Sequence, residues 1–300
     1  MMSAANRSNH QATESHDTVP SGYQKIETDQ GTKIVRDSPV SFVRRELNMS
    51  PNRQRLWEQH TGTTVLPVSR SFADTSVAPN SQLDVPQVWG QDGPLIVDIG
   101  VGHGESTFAG AVAYPGSNFL AVEVYRPGLA KLLDRTVSAD VTNIRMVEAN
   151  APEVLDHMLA AASVAEVWVF FSDPWPKNRY HKRRLIQPKF LDRVARVLKV
   201  GGMLRLATDW SHYAAQMRDT LDAHPKFTNC HPNRLAGEES PLTLARLHGT
   251  DDDKPQALSA ALDPVGGWAP RFATRPLTSF EAKAQRAGRY IFDLAYQRIK

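Results

Sequence analysis

Apolar runs of five or six residues recur through the second two thirds of the chain, each followed by a stretch with helical spacing. The runs 95–99, 119–124, 144–149, 167–172 and 203–208 are apolar at nearly every position, the pattern of strands buried on both faces. Helical patterns begin between them near Glu105, Pro127, Pro152 and Pro188. The three prolines suit the first turn of a helix, where the missing N–H breaks no bond. Gly201 and Gly202 read as the C-cap of the fourth of these helices. The alternation predicts an α/β fold with a doubly wound, mainly parallel sheet. A further helix is expected at about 211–223. Thr278, with Glu281 three positions on, has the form of a capping box and opens a last helix. Residues 290–299 are apolar enough for a last strand.

The regular pattern occupies residues 91–300 only. Residues 1–36 are rich in Ser, Asn, Thr, Gln and His without apolar periodicity, and are expected to be a disordered extension. Residues 37–90 read as a basic segment with Phe42, Val43, Arg44 and Arg45, a helix capped by Ser50 and Pro51, and a linker rich in Ser, Pro and Asn. Residues at about 231–270, dominated by Pro, Gly, Asp and Ala, read as a surface insertion.

Composition narrows the class. A chain of 300 residues with 41% hydrophobic and 22% charged content has the balance of a globular protein. No apolar run approaches the roughly 20 residues of a membrane span, and no signal peptide opens the chain, so no membrane partner and a cytoplasmic location are expected. Cys230 is the single cysteine, which excludes an internal disulfide and a multi-cysteine zinc site. His181, His224, His231 and His248 lack metal-type spacing, so no metal is expected. The oligomeric state is left open by the sequence, with a monomer the default.

The fourth strand ends in Phe170-Phe171-Ser172-Asp173-Pro174-Trp175-Pro176-Lys177. A carboxylate followed by Pro, Trp and Pro cannot continue a central strand, and ligands of open α/β sheets bind at carboxyl ends. Asp173 and Trp175 together offer an acceptor and an aromatic face, which suits a flat hydrogen-bonding ring. Lys177, Arg179, Lys182, Arg183 and Arg184 follow within eight positions, with no acid before Asp192, and suit phosphate contacts.

At the first strand-to-helix turn, Gly100, Gly102 and Gly104 let the backbone approach a ligand. Where the dinucleotide fingerprint needs a further glycine stands Glu105, which repels a pyrophosphate but tolerates the cationic S-adenosylmethionine. Glu123 ends the second strand, where a carboxylate can take both ribose hydroxyls, and Asn150 ends the third, where its amide can meet an adenine edge.

From about Ser41 to the C-terminus the chain resembles the bacterial tRNA (guanine-N7-)-methyltransferases, in FFSDPWPK (170–177), HKRR (181–184), ATDW (207–210) and TRPLTSFE (274–281). The resemblance implies a Rossmann-like class I methyltransferase domain over 91–300, S-adenosylmethionine as cofactor and tRNA as partner. It implies that Asp98, Gly100, Gly102, Glu123, Asn150 and Asp173 line the cofactor pocket, with Asp173 the candidate catalytic residue. It places Lys177, Asp209, Thr278, Ser279, Phe280 and Glu281 on the tRNA. The implied target is guanosine 46 of the variable loop. The chain departs from the family pattern at Ser172 (usually Pro), Asn150 (commonly Asp) and Ser279 (frequently Lys).

The chemistry fits the residues. Guanine N7 has an in-plane lone pair and no proton, so no general base is needed. Methylation moves positive charge onto the purine and makes N1–H more acidic, so a carboxylate gripping that edge binds the transition state more strongly. Asp173 and Asp209 are the two candidates for that grip, left undecided by the sequence. The competing readings are a methyltransferase acting on another RNA base or a protein, and a non-catalytic RNA-binding protein.

Overall fold

The computed structural model describes residues 23–29, 31–36, 49–71, 73–235 and 265–300. The chain divides into two units, residues 1–39 and 40–300. In the first, strands β1 (Tyr23–Thr28) and β2 (Gly31–Arg36) pair antiparallel as a hairpin. Residues 23–28 and 31–36 of the extension expected to be disordered thus form a strand pair. Its two-residue alternation is short and mostly polar, which hides it from a reading based on apolar runs. Arg44, Arg45 and most of the 231–270 insertion lie outside the described residues.

The second unit opens with α1 (Pro51–His60), where the Ser50 hydroxyl accepts the Arg53 N–H. The expected linker is largely docked on the sheet. Val65 bridges Met146 as a short extra edge, and the backbone bonds Leu66 N–H to Met146 O and Met146 N–H to Thr64 O are 2.9 and 2.8 Å. A short helix, α2 (Val85–Trp89), follows with Asp84 as its N-cap. Trp89 is buried and donates its indole N–H to Asn143 O at 2.9 Å.

The alternating elements then run β3 (Leu95–Ile99), α3 (Glu105–Ala113), β4 (Asn118–Glu123), α4 (Arg126–Ser138), β5 (Ile144–Glu148), α5 (Ala151–His157), β6 (Val164–Phe170), a 3-10 turn (Asn178–Arg183), α6 (Pro188–Val197), β7 (Leu198–Thr208), α7 (Ser211–Asp222), β8 (Phe227–Asn229), α8 (Ser279–Arg286) and β9 (Phe292–Arg298). The seven strands are ordered β5-β4-β3-β6-β7-β9-β8, parallel from β5 to β7, with β9 antiparallel to both its neighbours. The doubly wound expectation holds.

Each central strand is apolar throughout because it feeds two cores. Val97, Leu120, Val167 and Val169 face one layer, while Ile96, Phe119, Trp168 and Phe170 face the other. One expectation is corrected. Gly201 and Gly202 do not cap α6, which ends at Val197; they lie inside β7, where the register with β6 shifts. Gly201 has φ +84°, and the pair forms a bulge that lets β7 continue directly from the helix.

The chain winds outward from β3 to β5, then returns across β3 to β6. The crevice beyond the carboxyl ends of β3 and β6 is therefore the topological switch point, where such sheets bind ligands.

Candidate active site

On one side of the switch point lies the glycine-rich turn. Gly100, Gly102 and Gly104 have φ of +72°, +56° and +70°, a left-handed succession that side chains resist. Asp98, at the end of β3, is 2% exposed and accepts the Thr107 hydroxyl at 2.6 Å. Burial raises its pKa to about 7, and the nearby Glu123 adds to the rise. Glu123 ends β4 with both oxygens occupied by backbone N–H groups: Gly102 at 3.0 Å, Val124 at 2.7 Å and Tyr125 at 3.0 Å. Burial raises the Glu123 pKa in turn, those N–H groups oppose the rise, and Asp173 adds to it. Glu123 thus feels Asp173 and is felt by Asp98. Crowded, partly buried carboxylates favour a cationic ligand, and the residues present fit an S-adenosylmethionine ammonium and ribose.

The Asn150 amide nitrogen donates one N–H inward to Glu153 at 3.0 Å, which leaves its second N–H and its side-chain carbonyl oxygen for an adenine edge. Glu153, which the sequence reading passed over, also accepts the Val77 N–H at 2.9 Å and pins the docked linker beside the pocket.

On the other side stands the corner after β6. Phe171 and Trp175 have φ of +57° and +41°, two left-handed residues without glycine within five positions. Ser172 lies 3.4 Å from the Tyr213 hydroxyl, a contact that the proline usual at this position lacks. Lys177, Arg179, Lys182 and Arg183 are exposed. Arg183 lies over the rings of both Trp175 and Tyr180, each at 5.0 Å. Arg184 does not belong to the exposed strip. It is 2% exposed and donates to Pro174 O at 2.7 Å, because the 3-10 turn ends one residue earlier and directs the next side chain inward.

Asp209, after β7, pairs with Arg289 at 2.9 Å. Burial raises its pKa and the Arg289 charge opposes that rise.

The segment 274–281 closes the site from above the glycine-rich turn. Glu105 accepts the Ser279 N–H at 3.2 Å, so its carboxylate serves the start of α8 as well as α3. A side chain at Gly102 would meet Phe280 at 3.6 Å. Phe280 is 52% exposed and nearly parallel to Phe171, at 6.4 Å between ring centres. Thr278 caps α8 through the Glu281 N–H at 3.1 Å. The Glu281 carboxylate faces inward, to Arg271 at 2.7 Å and Arg275 at 3.1 Å. Arg275, fully buried, also pairs with Asp293 and lies over the rings of Phe170 and Phe171. The two most distinctive sequence segments are thereby fastened to each other.

A family model described as "Putative methyltransferase" matches residues 92–254. A tRNA (guanine-N(7)-)-methyltransferase of Arthrobacter sp. (strain FB24) is 47% identical over 276 residues, 87% of this chain and 86% of that protein. One from Pseudomonas fluorescens (strain Pf0-1) is 33% identical over 287 residues, 96% of this chain and 99% of that protein. The chain belongs to the tRNA (guanine-N(7)-)-methyltransferase family.

For a member of this family, the sequence-derived site residues other than Asn150, Lys177 and Asp209 fall into two groups. Asp98, Gly100, Gly102, Glu123 and Asp173 gather at the switch point, with Ser279 and Phe280 brought over the glycine-rich turn. Thr278 and Glu281 serve the inside of the protein: one caps α8, the other anchors two arginines. Thr107, Glu153, Arg275 and Arg289 were missed and Arg184 was placed on the exposed strip, because nothing in a single sequence says which polar or charged side chain will be buried. Among the described residues no group of three or more His, Cys, Asp or Glu could hold a metal ion, and no helix is long and apolar enough to cross a membrane.

Proposed function

We propose that the chain transfers the methyl group of S-adenosylmethionine to N7 of a guanine in tRNA, with guanosine 46 of the variable loop as the target. Relatives named tRNA (guanine-N(7)-)-methyltransferase, one of them 47% identical over most of both chains, support methyl transfer to guanine N7 of tRNA. The observation that supports it most directly is the placement of Glu123 between Asp98 and Asp173, close enough to each to interact, with an exposed aromatic ring over the glycine-rich turn and a cationic strip after Asp173.

The cofactor, when bound, supplies an electrophilic methyl group on a sulfonium. Asp98 and Glu123 would hold its cationic and ribose portions, with the Asn150 side-chain amide at the adenine edge. Glu123 has three of about four acceptor positions filled by backbone N–H groups, so it takes one ribose hydroxyl without rearrangement. Asp173 accepts from the guanine N1–H edge and binds more strongly as positive charge develops on the purine. Asp209, which pairs with Arg289, is the second candidate for that edge. Phe280 offers a face on which the flipped base can stack, and Ser279 orders the segment that carries it. Lys177, Arg179, Lys182 and Arg183 take phosphates, while the nucleotide leaves its stack for the pocket.

The decisive experiment incubates the protein with labelled S-adenosylmethionine and unmodified tRNA, then maps the methylated base by borohydride and aniline cleavage. Cleavage at guanosine 46 is expected. A methyl on adenine, or label recovered on protein, overturns the proposal.

A further inference from the structure

We infer that Arg184 is a positioning residue, which holds the Asp173–Trp175 corner against α7 so that the Asp173 carboxylate meets the base in one orientation. The inference rests on the reading of Asp173 as the catalytic group. Arg184 is buried among neutral partners. Its Nε donates to Pro174 O at 2.7 Å, and its Nη1 to Gln216 Oε1 at 2.9 Å and His212 Nδ1 at 3.0 Å. Its guanidinium lies 5.0 Å from the centre of the Tyr213 ring, and Nη2 is buried without a hydrogen-bond partner. Burial lowers its pKa to about 10.

A cation in such surroundings is a poor way to gain stability, and an apolar side chain would fill the space at less cost. What an arginine adds is a rigid, planar set of donors. Here that set joins a loop carbonyl to one face of a helix. The corner needs such a tie, because left-handed Phe171 and Trp175 persist only where the surroundings enforce them. Two further contacts hold the same loop: Ser172 Oγ to the Tyr213 hydroxyl at 3.4 Å, and His181 Nε2 to Pro176 O at 3.2 Å. The His181 ring also packs at a tilt against that of His212, 4.8 Å between centres. Since α7 begins at Ser211, next to Asp209, the frame ties the loops carrying Asp173 and Asp209 to one rigid element.

The test uses the full chain with Arg184→Met, Arg184→Lys, Gln216→Leu and Asp173→Ala. Each variant is measured for thermal stability, S-adenosylmethionine affinity, tRNA affinity and single-turnover methylation of unmodified tRNA. Folded Arg184→Met should lose about 100-fold in single-turnover rate, the cost of a misplacement of roughly 1 Å, with both affinities within about threefold of wild type. Arg184→Lys, which keeps a donor for Pro174 O, should recover part of the rate. If Asp173→Ala is inactive and folded Arg184→Met keeps the wild-type rate, this inference fails while the role of Asp173 stands. If Asp173→Ala keeps the wild-type rate, the reading beneath the inference fails. Should Arg184→Met not fold, Gln216→Leu decides. It removes one acceptor of Arg184, and a wild-type rate in that variant overturns the inference.

Discussion

At the scale of single residues, the site is governed by carboxylates that pay differently for burial. Asp98 holds its proton up to about pH 7 in the folded chain, against 3.8 for an ordinary aspartate. Between those values the folded state binds more protons than the unfolded state, so stability falls as pH rises. The Asp98→Asn variant keeps an acceptor for the Thr107 hydroxyl and removes this titration. Without cofactor, its melting temperature should vary less with pH between about 4 and 7 than that of the parent, and should exceed it above pH 7. Parallel melting curves for the two proteins across that window contradict the assignment. Glu123 is tied to three N–H groups and is the residue proposed to take a ribose hydroxyl. Glu123→Ala should weaken S-adenosylmethionine binding by about 1.5–3 kcal/mol, the scale of a charged hydrogen bond. Titration calorimetry on the folded variant checks this, and an unchanged affinity removes Glu123 from the pocket.

Elements are joined here by buried ion pairs that the sequence could not show. Arg275 ties α8 to β9 through Glu281 and Asp293, and supports the aromatic end of β6. Arg275→Met leaves Asp293 buried without its partner, and should destabilise the chain by about 3–5 kcal/mol. Adding Asp293→Leu should restore much of that loss, because removing both charges removes the uncompensated burial. Denaturant unfolding of the single and double variants checks the pair; equal stabilities exclude the ion pair as the cause. Much of this architecture was nevertheless legible. Strands buried on both faces leave long apolar runs, and first-turn prolines and the Thr278 capping box mark helix starts, so β3 to β7 and α3 to α8 were placed to within a few residues. The misses share a cause. Gly201 and Gly202 look alike as a helix cap or a strand bulge, and only the pairing of β6 with β7 decides. The β1–β2 hairpin is mostly polar in sequence and α2 is only five residues long, so neither leaves an apolar periodic trace. Within the site, residue type and strand-end position were readable, whereas the direction of each side chain was not. Glu281 and Arg184 sit in the expected segments and turn inward.

At the scale of the whole molecule, the problem is to hold a large polyanion while one base enters a pocket lined by acids. A net charge of +3 gives little general attraction, so the task falls to local clusters. Lys177, Arg179, Lys182 and Arg183 are exposed beside the corner, and Arg183 rests on two aromatic rings that fix its direction. Exposed cations bound to phosphate release counterions, and buried ones do not, so the two kinds separate in a salt titration. Neutralising Arg179 and Lys182 together should weaken tRNA binding and reduce the log-log slope against salt by up to about one unit per lost phosphate contact. Arg184→Met should leave that slope unchanged, since its side chain is 2% exposed. S-adenosylmethionine affinity should be the same in both variants, because neither change touches the glycine-rich turn. Filter binding at a series of salt concentrations distinguishes the outcomes. A wild-type slope in the Arg179, Lys182 double variant means that the RNA backbone follows another path. A reduced slope in Arg184→Met means that this arginine reaches the phosphates, and that the inward side of the corner is wrongly assigned.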